Sequence, residues 1–245
     1  MKKSAFYVLL SIALIAMWEY LGGSNQTFRL LLSSPSHIYQ FFTANASDLL
    51  LATKTTLLEA VCGLLIATAF SFGVMILCFY KPKVMDFILP VMVTSQVIPL
   101  IVLAPFFIIL LGIGVSSKIA MASLMCFFPI FVNFAHGYRS ISGNIHELLY
   151  IYDAPLKIRI RRVYFPLSMN SIMAGLKVSA TLAVIGAIVA EFTGAETGLG
   201  KNLFISAIRL EPDLMMTSLL LSTLIGLSVY GSIRLVEKRV FNWYE

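Results

Sequence analysis

Long apolar segments alternate with short polar ones along the whole chain of 245 residues. Several apolar segments reach the length of about 20 residues that a helix needs to cross a bilayer core roughly 30 Å thick. They predict six transmembrane helices, at about residues 5–21, 54–79, 86–111, 116–138, 170–191 and 214–234. We therefore expect an all-α polytopic membrane protein that forms a single domain, residues 1–245.

The first span follows Lys2 and Lys3, as the apolar part of a secretion signal would. No small-x-small cleavage site closes it, and it ends at Trp18 and Tyr20, aromatic residues typical of a membrane interface. We interpret it as an uncleaved transmembrane helix. A short interfacial helix is expected at about residues 36–50, before the second span.

The third span contains Pro90, Pro99 and Pro105, and Gly112 and Gly114 end it. Each proline removes a backbone donor, so we expect kinks. Carbonyl groups freed in hydrocarbon need protein or water partners. This helix should therefore be packed in a bundle or line a path.

Composition excludes a soluble domain, because 59% of the residues are hydrophobic and only 12% are charged. The net charge of +6 is too diffuse to predict nucleic-acid binding, and the expected surroundings are membrane lipid. Histidines and cysteines show no ligand spacing, so we expect no disulfide, metal or cofactor. Serine, histidine and acidic residues do not cluster as a catalytic site requires, so an enzyme is not expected. The cysteines are Cys62, Cys78 and Cys126.

Lysine and arginine are enriched in cytoplasmic loops, so their distribution predicts orientation. With the N-terminus inside, twelve lie on the cytoplasmic side against five outside, and Lys177 near the inner start of span five is unassigned. Both termini are therefore expected in the cytoplasm. The twelve are Lys2, Lys3, Lys81, Lys83, Arg139, Lys157, Arg159, Arg161, Arg162, Arg234, Lys238 and Arg239; the five are Arg29, Lys54, Lys118, Lys201 and Arg209.

Polar side chains inside apolar spans are costly, so each is a candidate for a hydrogen bond between helices or for the lining of a solute path. Glu191, at the outer end of span five, is expected to be solvated, and the run T-G-L-G at 197–200 to be a flexible extracytoplasmic turn. The candidates within spans are Glu59, Thr94, Ser95, Gln96, Asn133 and Thr181, of which the last five form the candidate translocation path.

Span five carries a small residue at every fourth position, namely Gly175, Ser179, Ala183 and Ala187. Such a face lets helix backbones approach closely in a membrane. Two interpretations remain open. The face reflects the ordinary abundance of small residues in membrane helices, or it makes a tight contact, including one across a dimer axis.

The longest charged interval between two apolar spans is residues 147–166. It predicts two short amphipathic helices with a break at Asp153, which is placed to act as an N-cap, and Pro155 is tolerated in the first turn that follows. Taken by charge alone, the segment is an ordinary basic cytoplasmic loop. Its basic residues are Lys157, Arg159, Arg161 and Arg162.

The motif in this interval resembles the cytoplasmic coupling loop of binding-protein-dependent ABC transporter permeases. That family carries E-A-A, then G-A, and further on a hydrophobic residue before proline. Here Glu147-Leu148-Leu149, Asp153-Ala154 and Phe165-Pro166 occupy these places. Leu-Leu replaces Ala-Ala and Asp153 replaces glycine, but aspartate tolerates a left-handed backbone better than most residues.

Further runs resemble the branch that takes up nitrate, sulfonates, taurine and thiamine pyrimidine precursors. S-Q-V-I-P, C-F-F-P-I and L-K-V-S-A-T are similar to the hydroxymethylpyrimidine permeases. The likeness extends over almost the whole chain. The runs lie at 32–36, 95–105, 111–114, 126–130, 176–181, 184–195 and 198–200.

The resemblance implies a type I ABC importer, with two permease copies forming the path. Each of two cytoplasmic ATPase subunits would receive one coupling loop, residues 140–166. A periplasmic substrate-binding protein would face residues 22–53 and 193–213. The chain has no Walker A motif, so ATP hydrolysis is expected on a separate subunit. The implied coupling residues are Glu147, Leu148, Leu149, Asp153, Ala154, Arg161, Arg162 and Pro166.

The expected solute is a hydroxymethylpyrimidine-type thiamine precursor, carried inward across the inner membrane. Alternatives within the family are a sulfonate, taurine, nitrate or a riboflavin-like solute. Alternatives of another class are a stand-alone secondary transporter, for which no internal repeat is seen, and a non-transporting membrane scaffold.

Overall fold

The fold is given by a computed structural model that describes residues 2–24, 32–95 and 97–240. These residues form helices joined by short links, and no strand occurs among them. The helices are α1 (Lys2–Ser24), α2 (Pro35–Ala44), α3 (Ala46–Tyr80), α4 (Pro82–Ser95), α5 (Leu103–Leu111), α6 (Val115–Arg139), α7 (Gly143–Ile151), α8 (Leu156–Arg159), α9 (Phe165–Glu191), α10 (Leu199–Arg209) and α11 (Pro212–Val240).

Within the described ranges, four helical segments are long and apolar enough to cross a membrane. They are α3, α6, the continuous segment Leu156–Glu191, and Pro212–Arg239 within α11. A shorter apolar stretch, Leu9–Gly23, lies in α1. The prediction of an all-α polytopic membrane protein is confirmed, whereas these lengths alone do not establish six spans.

The core is built around α6, which lies between α3 and α9. Its buried face is rich in aromatic side chains, and Phe131 and Phe134 are almost completely buried. Cys126 of α6 and Ser179 of α9 link the two helices, because the Ser179 hydroxyl donates to the Cys126 carbonyl oxygen over 3.0 Å. The buried cysteine is therefore a packing residue, and all three cysteines are unpaired.

The small-residue face of α9 packs against α6 of the same chain. Gly175, Ser179, Ala183 and Ala187 are all buried there. A Cβ atom added to Gly175 would lie 2.9 Å from the Asn133 Cβ and from the Pro129 carbonyl oxygen. This face is consequently occupied inside one chain, which leaves it no room for the contact across a dimer axis considered above.

We expect Gly175→Ala to destabilise the protein by roughly 1–3 kcal/mol, because its methyl group overpacks the α6–α9 contact. Gly73→Ala is the matched control, since Gly73 also lies inside a membrane helix but a Cβ there has no neighbour within 4 Å. Thermal unfolding in detergent measures both variants. Equal midpoints for the two would contradict the tight contact.

Residues 82–111 form two helices where the sequence predicts one kinked span. Pro90 lies inside α4, Pro99 lies in the link between the helices, and Pro105 is in the first turn of α5. A proline just beyond α4 cannot continue its hydrogen-bond ladder, and one in a first turn loses no bond. Gly112 ends α5 with a φ of 84°, as expected from the sequence.

The second span begins earlier than predicted, since α3 starts at Ala46 instead of residue 54. Its 35 residues would extend about 52 Å at 1.5 Å per residue, so its first turns reach beyond the bilayer core. The expected interfacial helix is correspondingly shorter. It is α2, which Ser34 caps by accepting a hydrogen bond from the His37 N–H.

The fifth span also begins earlier, because α8 continues into α9 through a π-helical turn at Ile160–Tyr164. In that turn the Phe165 N–H donates to the Ile160 carbonyl, five residues back. Pro166 follows directly, and its ring disfavours the normal α-helical approach of the carbonyl four residues earlier. The second short helix of the central loop is therefore the first part of the long membrane helix.

Candidate functional site

The turn between α7 and α8 is a Schellman motif, in which a left-handed residue closes a helix. The Ala154 N–H donates to the Leu149 carbonyl over 3.1 Å, and the Asp153 N–H donates to the Tyr150 carbonyl over 3.0 Å. Asp153 is the left-handed residue, with a φ of 45°. The break at Asp153 is therefore present, and the aspartate stands where glycine is the usual choice.

The N-cap role predicted for Asp153 is wrong. Pro155 occupies the N-cap position of α8, and no side chain caps that helix. The sequence signal was ambiguous because aspartate is favoured both at N-caps and in left-handed turns. Asp153 closes α7, whereas the sequence analysis assigned it to the start of α8.

One side of α7 is held against the ends of the membrane helices by a group of aromatic rings. The Tyr138 and Tyr164 rings are 5.1 Å apart, and Tyr164 lies 5.3 Å from the His146 ring. The Tyr164 hydroxyl and His146 Nδ1 are 3.3 Å apart, and Leu149 is buried beside them. The aromatic group fixes α7 on the ends of α3, α6 and α9.

The other side of α7 and the following turn expose large apolar side chains. The exposed fractions are 54% for Leu148, 79% for Tyr150, 78% for Ile151 and 76% for Tyr152. Glu147 is exposed beside them. A contiguous exposed apolar patch on a firmly held helix is typical of a protein interaction surface. We call Glu147, Leu148, Tyr150, Ile151 and Tyr152 the loop surface.

The remaining predicted coupling residues lie on the membrane-helix side of the turn. Arg161 and Arg162 are exposed in the π-helical turn, and Pro166 is half-buried at the start of α9. Arg159 ties the two sides together, because its Nε donates to the Ala154 carbonyl over 2.5 Å. Glu147, Arg161 and Arg162 thus flank one rigid turn.

At the opposite end of α9, Glu191 is buried, with 1% of its surface exposed, so the expectation that it is solvated is wrong. Its Oε1 accepts from the Thr56 hydroxyl over 2.7 Å, and its Oε2 accepts from the Gly200 N–H over 2.5 Å. The Thr56 hydroxyl also accepts from the Leu199 N–H over 2.9 Å. The carboxylate therefore occupies the N-terminus of α10, where the helix dipole favours negative charge.

The T-G-L-G run is a packed turn in place of the expected flexible one. Gly198, with a φ of 144°, is the N-cap of α10 and has no side chain with which to cap it. A Cβ on Gly200 would lie 2.8 Å from the Glu191 Cβ, and one on Gly198 would meet the carboxylate itself. The two glycines leave the space that Glu191 fills.

A second buried pair lies beside this carboxylate. Lys118 Nζ is 3.8 Å from Glu59 Oε1, and the two side chains are 9% and 0% exposed. We call Thr56, Glu59, Lys118 and Glu191 the outer polar cluster, where outer means the end of the bundle opposite the loop surface. It joins α3, α6, α9 and α10 at one level of the bundle. The sequence analysis counted Lys118 among the basic residues on the outer side and missed this pairing, since the partners are far apart in the chain.

The candidate path residues are not brought together. The Asn133 Nδ2 donates to the Pro129 carbonyl over 2.8 Å at the α6–α9 contact, and the Thr94 hydroxyl donates to the Pro90 carbonyl over 2.8 Å. Thr181 lines a groove between α9 and α11. Ser95 ends α4, and Gln96 lies outside the described residues.

A second groove, with a volume of about 560 Å³, lies between α3, α5 and α6. Its walls include Phe70, Phe107 and Phe127, and its only polar side chains are Ser116 and Ser123. None of the candidate path residues lines it. Among the described residues, no group of acidic, histidine and cysteine side chains is placed to hold a metal ion.

Comparison with known proteins identifies relatives along most of the chain. It is 29% identical to a probable ABC transporter permease of Haemophilus influenzae, over 90% of each chain. It is 31% identical to the formylaminopyrimidine transport permease of Halalkalibacterium halodurans, over 87% of this chain and 86% of the relative. It is 22% identical to a putative aliphatic sulfonates transport permease of Bacillus subtilis, over 96% and 86%.

A family model described as the binding-protein-dependent transport system inner membrane component matches residues 69–242. The match includes the loop surface, α9 with Glu191, and α10. Together with the apolar helices, it identifies a multi-pass protein of the inner membrane. The chain therefore belongs to the permeases of binding-protein-dependent ABC transporters, in the sulfonate and thiamine-precursor branch.

Proposed function

We propose that this chain is the membrane subunit of an ATP-driven importer and that its loop surface docks into a separate cytoplasmic ATPase. The observation that carries the proposal is the loop surface itself. Four large apolar side chains are more than half exposed there, while the other side of the same helix is fixed by the Tyr138, His146 and Tyr164 rings. A rigid, apolar projection suits both docking and the transmission of movement.

The proposed topology has six spans, with both termini in the cytoplasm. Lys2 and Lys3 at the start of α1, and Lys238 and Arg239 at the end of α11, support this orientation by the enrichment of basic residues in cytoplasmic segments. The two further spans are α1 and the pair α4–α5. Two copies of the chain would form the path, and residues 22–53 and 193–213 would face a periplasmic binding protein.

The proposed solute is a pyrimidine precursor of thiamine, of the hydroxymethylpyrimidine type. The 31% identity with the formylaminopyrimidine permease extends over 87% of this chain, whereas two sulfonate permeases are 22% identical over 96% of it and 31% identical over 60% of it, and this difference in extent supports the pyrimidine choice.

Uptake in cells with and without this chain tests the proposal. Labelled hydroxymethylpyrimidine, taurine and nitrate are offered in parallel, with the ATPase and binding protein present. When the chain is absent, we expect the ATP-dependent uptake of pyrimidine to be lost and the uptake of taurine and nitrate to be unchanged. We also expect an ATPase to co-purify with the tagged chain. Loss of taurine or nitrate uptake instead would reject the pyrimidine assignment, and no ATPase in the purified complex would reject the importer.

A further inference from the structure

The groove between α9 and α11 has a volume of about 590 Å³, within the usual range of small-molecule sites. Leu203 of α10 contributes to one side. The walls are mostly valine, isoleucine and leucine, interrupted by four hydroxyl groups, and no lysine, arginine, histidine, aspartate or glutamate is among the described residues that line the groove. The hydroxyl groups belong to Thr181, Ser222, Thr223 and Tyr230.

An ion pair lies beyond one end of this groove. Lys177 Nζ is 2.9 and 3.1 Å from the two carboxylate oxygens of Glu237, and each side chain remains about a quarter exposed. Lys177 precedes Thr181 by one helical turn, and Glu237 follows Tyr230 by two turns, so the pair shares the face of the groove. On the proposed orientation this end is the cytoplasmic one.

The ion pair argues that this face is not covered by lipid. Lys177 lies 14 residues before Glu191, about 21 Å along the helix, and Glu237 directly precedes Lys238 and Arg239, so on the proposed orientation the pair lies near the cytoplasmic boundary of the bilayer core. A lysine paired with a carboxylate at the end of a membrane span favours a face toward water or the bundle interior over one toward lipid. The same face carries Thr181, Ser222 and Thr223, whose hydroxyl oxygens can accept hydrogen bonds from a solute.

The hydroxyl groups also select the kind of solute. Thr181 donates to the Val178 carbonyl over 2.8 Å, Ser222 to the Ser218 carbonyl over 2.7 Å, and Thr223 to the Leu219 carbonyl over 2.9 Å. Their single donors are used within their own helices, so each oxygen faces the groove as an acceptor. A sulfonate or nitrate carries a negative charge and only hydrogen-bond acceptors. No cationic side chain among the described lining residues pairs with that charge, so desolvation of the anion in the groove would be costly.

We propose that the α9–α11 groove is a binding segment of the solute path, that it takes a neutral ring compound with N–H or O–H donors, and that the Lys177–Glu237 ion pair stands at its cytoplasmic exit. This proposal rests on the importer function proposed above. An aminopyrimidine with a hydroxymethyl group has the required neutrality, size and donors.

Thiol labelling tests the groove in the complete transporter, in membranes that contain the ATPase and binding protein. The variant is Thr181→Cys, and N-ethylmaleimide is the probe, with the unmodified chain giving the background of its native cysteines. A thiol in a water-accessible path reacts. Hydroxymethylpyrimidine should slow labelling about fivefold at four times its dissociation constant, by simple occupancy of the site, while taurine and nitrate should not.

Leu224→Cys is the matched control, because Leu224 is exposed on the same helix as Ser222 and Thr223 but does not line the groove. Its labelling should not respond to the solute. An unreactive thiol at position 181 would show that lipid or a second copy covers the groove, and protection by taurine would reject the neutral class. Either result overturns the proposal. If Thr181→Cys is not inserted, Thr223→Cys replaces it.

A second measurement uses Thr181→Val, which keeps the shape of the side chain and removes the acceptor. Pyrimidine uptake should fall roughly threefold to tenfold, the effect of one lost hydrogen bond. Thr68→Val makes the same change at a hydroxyl that bonds to its own helix, 2.6 Å from the Leu64 carbonyl, but lies outside the groove. It should leave uptake unchanged, and equal losses in the two variants would contradict a specific role of Thr181.

The importer function and the assignment of the groove can be rejected separately. If the unmodified transporter takes up none of the three solutes with ATP, the importer function is wrong whatever the labelling shows. If pyrimidine uptake is normal and the thiol at position 181 is unreactive, only the assignment of the groove is wrong.

Discussion

Glu147→Lys is expected to abolish solute uptake while the protein still inserts into the membrane. Glu147 is the acidic member of the loop surface, and Arg161 and Arg162 are exposed in the π-helical turn that follows α8. Reversal of its charge in a desolvated interface costs several kcal/mol, because like charges are brought together. A cost of about 2.8 kcal/mol would already weaken ATPase docking about a hundredfold.

The measurement is ATP-dependent uptake together with the amount of ATPase that co-purifies, at equal levels of inserted chain. Glu147→Gln is the control, since it removes the charge without adding a repulsive one, and it should retain more uptake than Glu147→Lys. A structural role for Glu147 would instead lower the amount of inserted protein. Unchanged uptake in Glu147→Lys would show that the docking surface lies elsewhere.

Glu191→Ala is expected to lower the free energy of unfolding by roughly 3–5 kcal/mol, the usual cost of breaking a buried charged network. The change leaves the Gly200 N–H without its acceptor, leaves the Thr56 hydroxyl only its 3.1 Å bond to the Ala52 carbonyl, and opens the space between α9 and α10. For a chain of this length the loss corresponds to a fall on the order of 10 °C in the unfolding midpoint. Thermal unfolding in detergent measures it.

Glu196→Ala is the matched control, because Glu196 is an exposed acid on the same turn. It should change stability by no more than about 0.5 kcal/mol. Glu191→Gln should fall between the two, since the amide oxygen still accepts one of the two hydrogen bonds. If Glu191→Ala and Glu196→Ala unfold at the same temperature, Glu191 does not hold the outer ends of the helices together.

The sequence predicted well those features that depend on short-range patterns. Apolar length identified the long helices, and Gly112 was recognised as a helix end. The motif from Glu147 to Pro166 led to the correct family, because a linear motif survives even where Leu148 and Leu149 replace alanines. It also located the break at Asp153, although the role of that residue within the turn was reversed.

The outer polar cluster could not be predicted, because its members are joined only by packing. Thr56 and Glu191 are 135 positions apart, and a polar residue at the end of an apolar run is normally solvated. One signal was present in the sequence: two glycines at 198 and 200 near an acid. Glycines that leave space for a carboxylate and glycines in a flexible turn give the same pattern.

Path residues were equally hard to choose from the sequence. Asn133 and Thr181 are both single polar residues in apolar spans, yet Asn133 lies at the α6–α9 contact and Thr181 faces a groove. The difference depends on which face each helix turns toward its neighbours. Ser222 and Thr223 were missed because small hydroxyl residues are common in membrane helices, where they bond to their own backbone.

The continuity of α8, the π-helical turn and α9 has a mechanical consequence. The 36 residues from Leu156 to Glu191 form one continuous helical segment about 54 Å long, with Arg161 near one end, Thr181 between its middle and Glu191, and Glu191 at the other end. A tilt of about 10° around the middle would displace the two tips by about 5 Å in opposite directions. One end of the helix would then approach its neighbours while the other end withdraws. A rigid helix of this length would therefore couple movements at the two membrane surfaces in opposite directions.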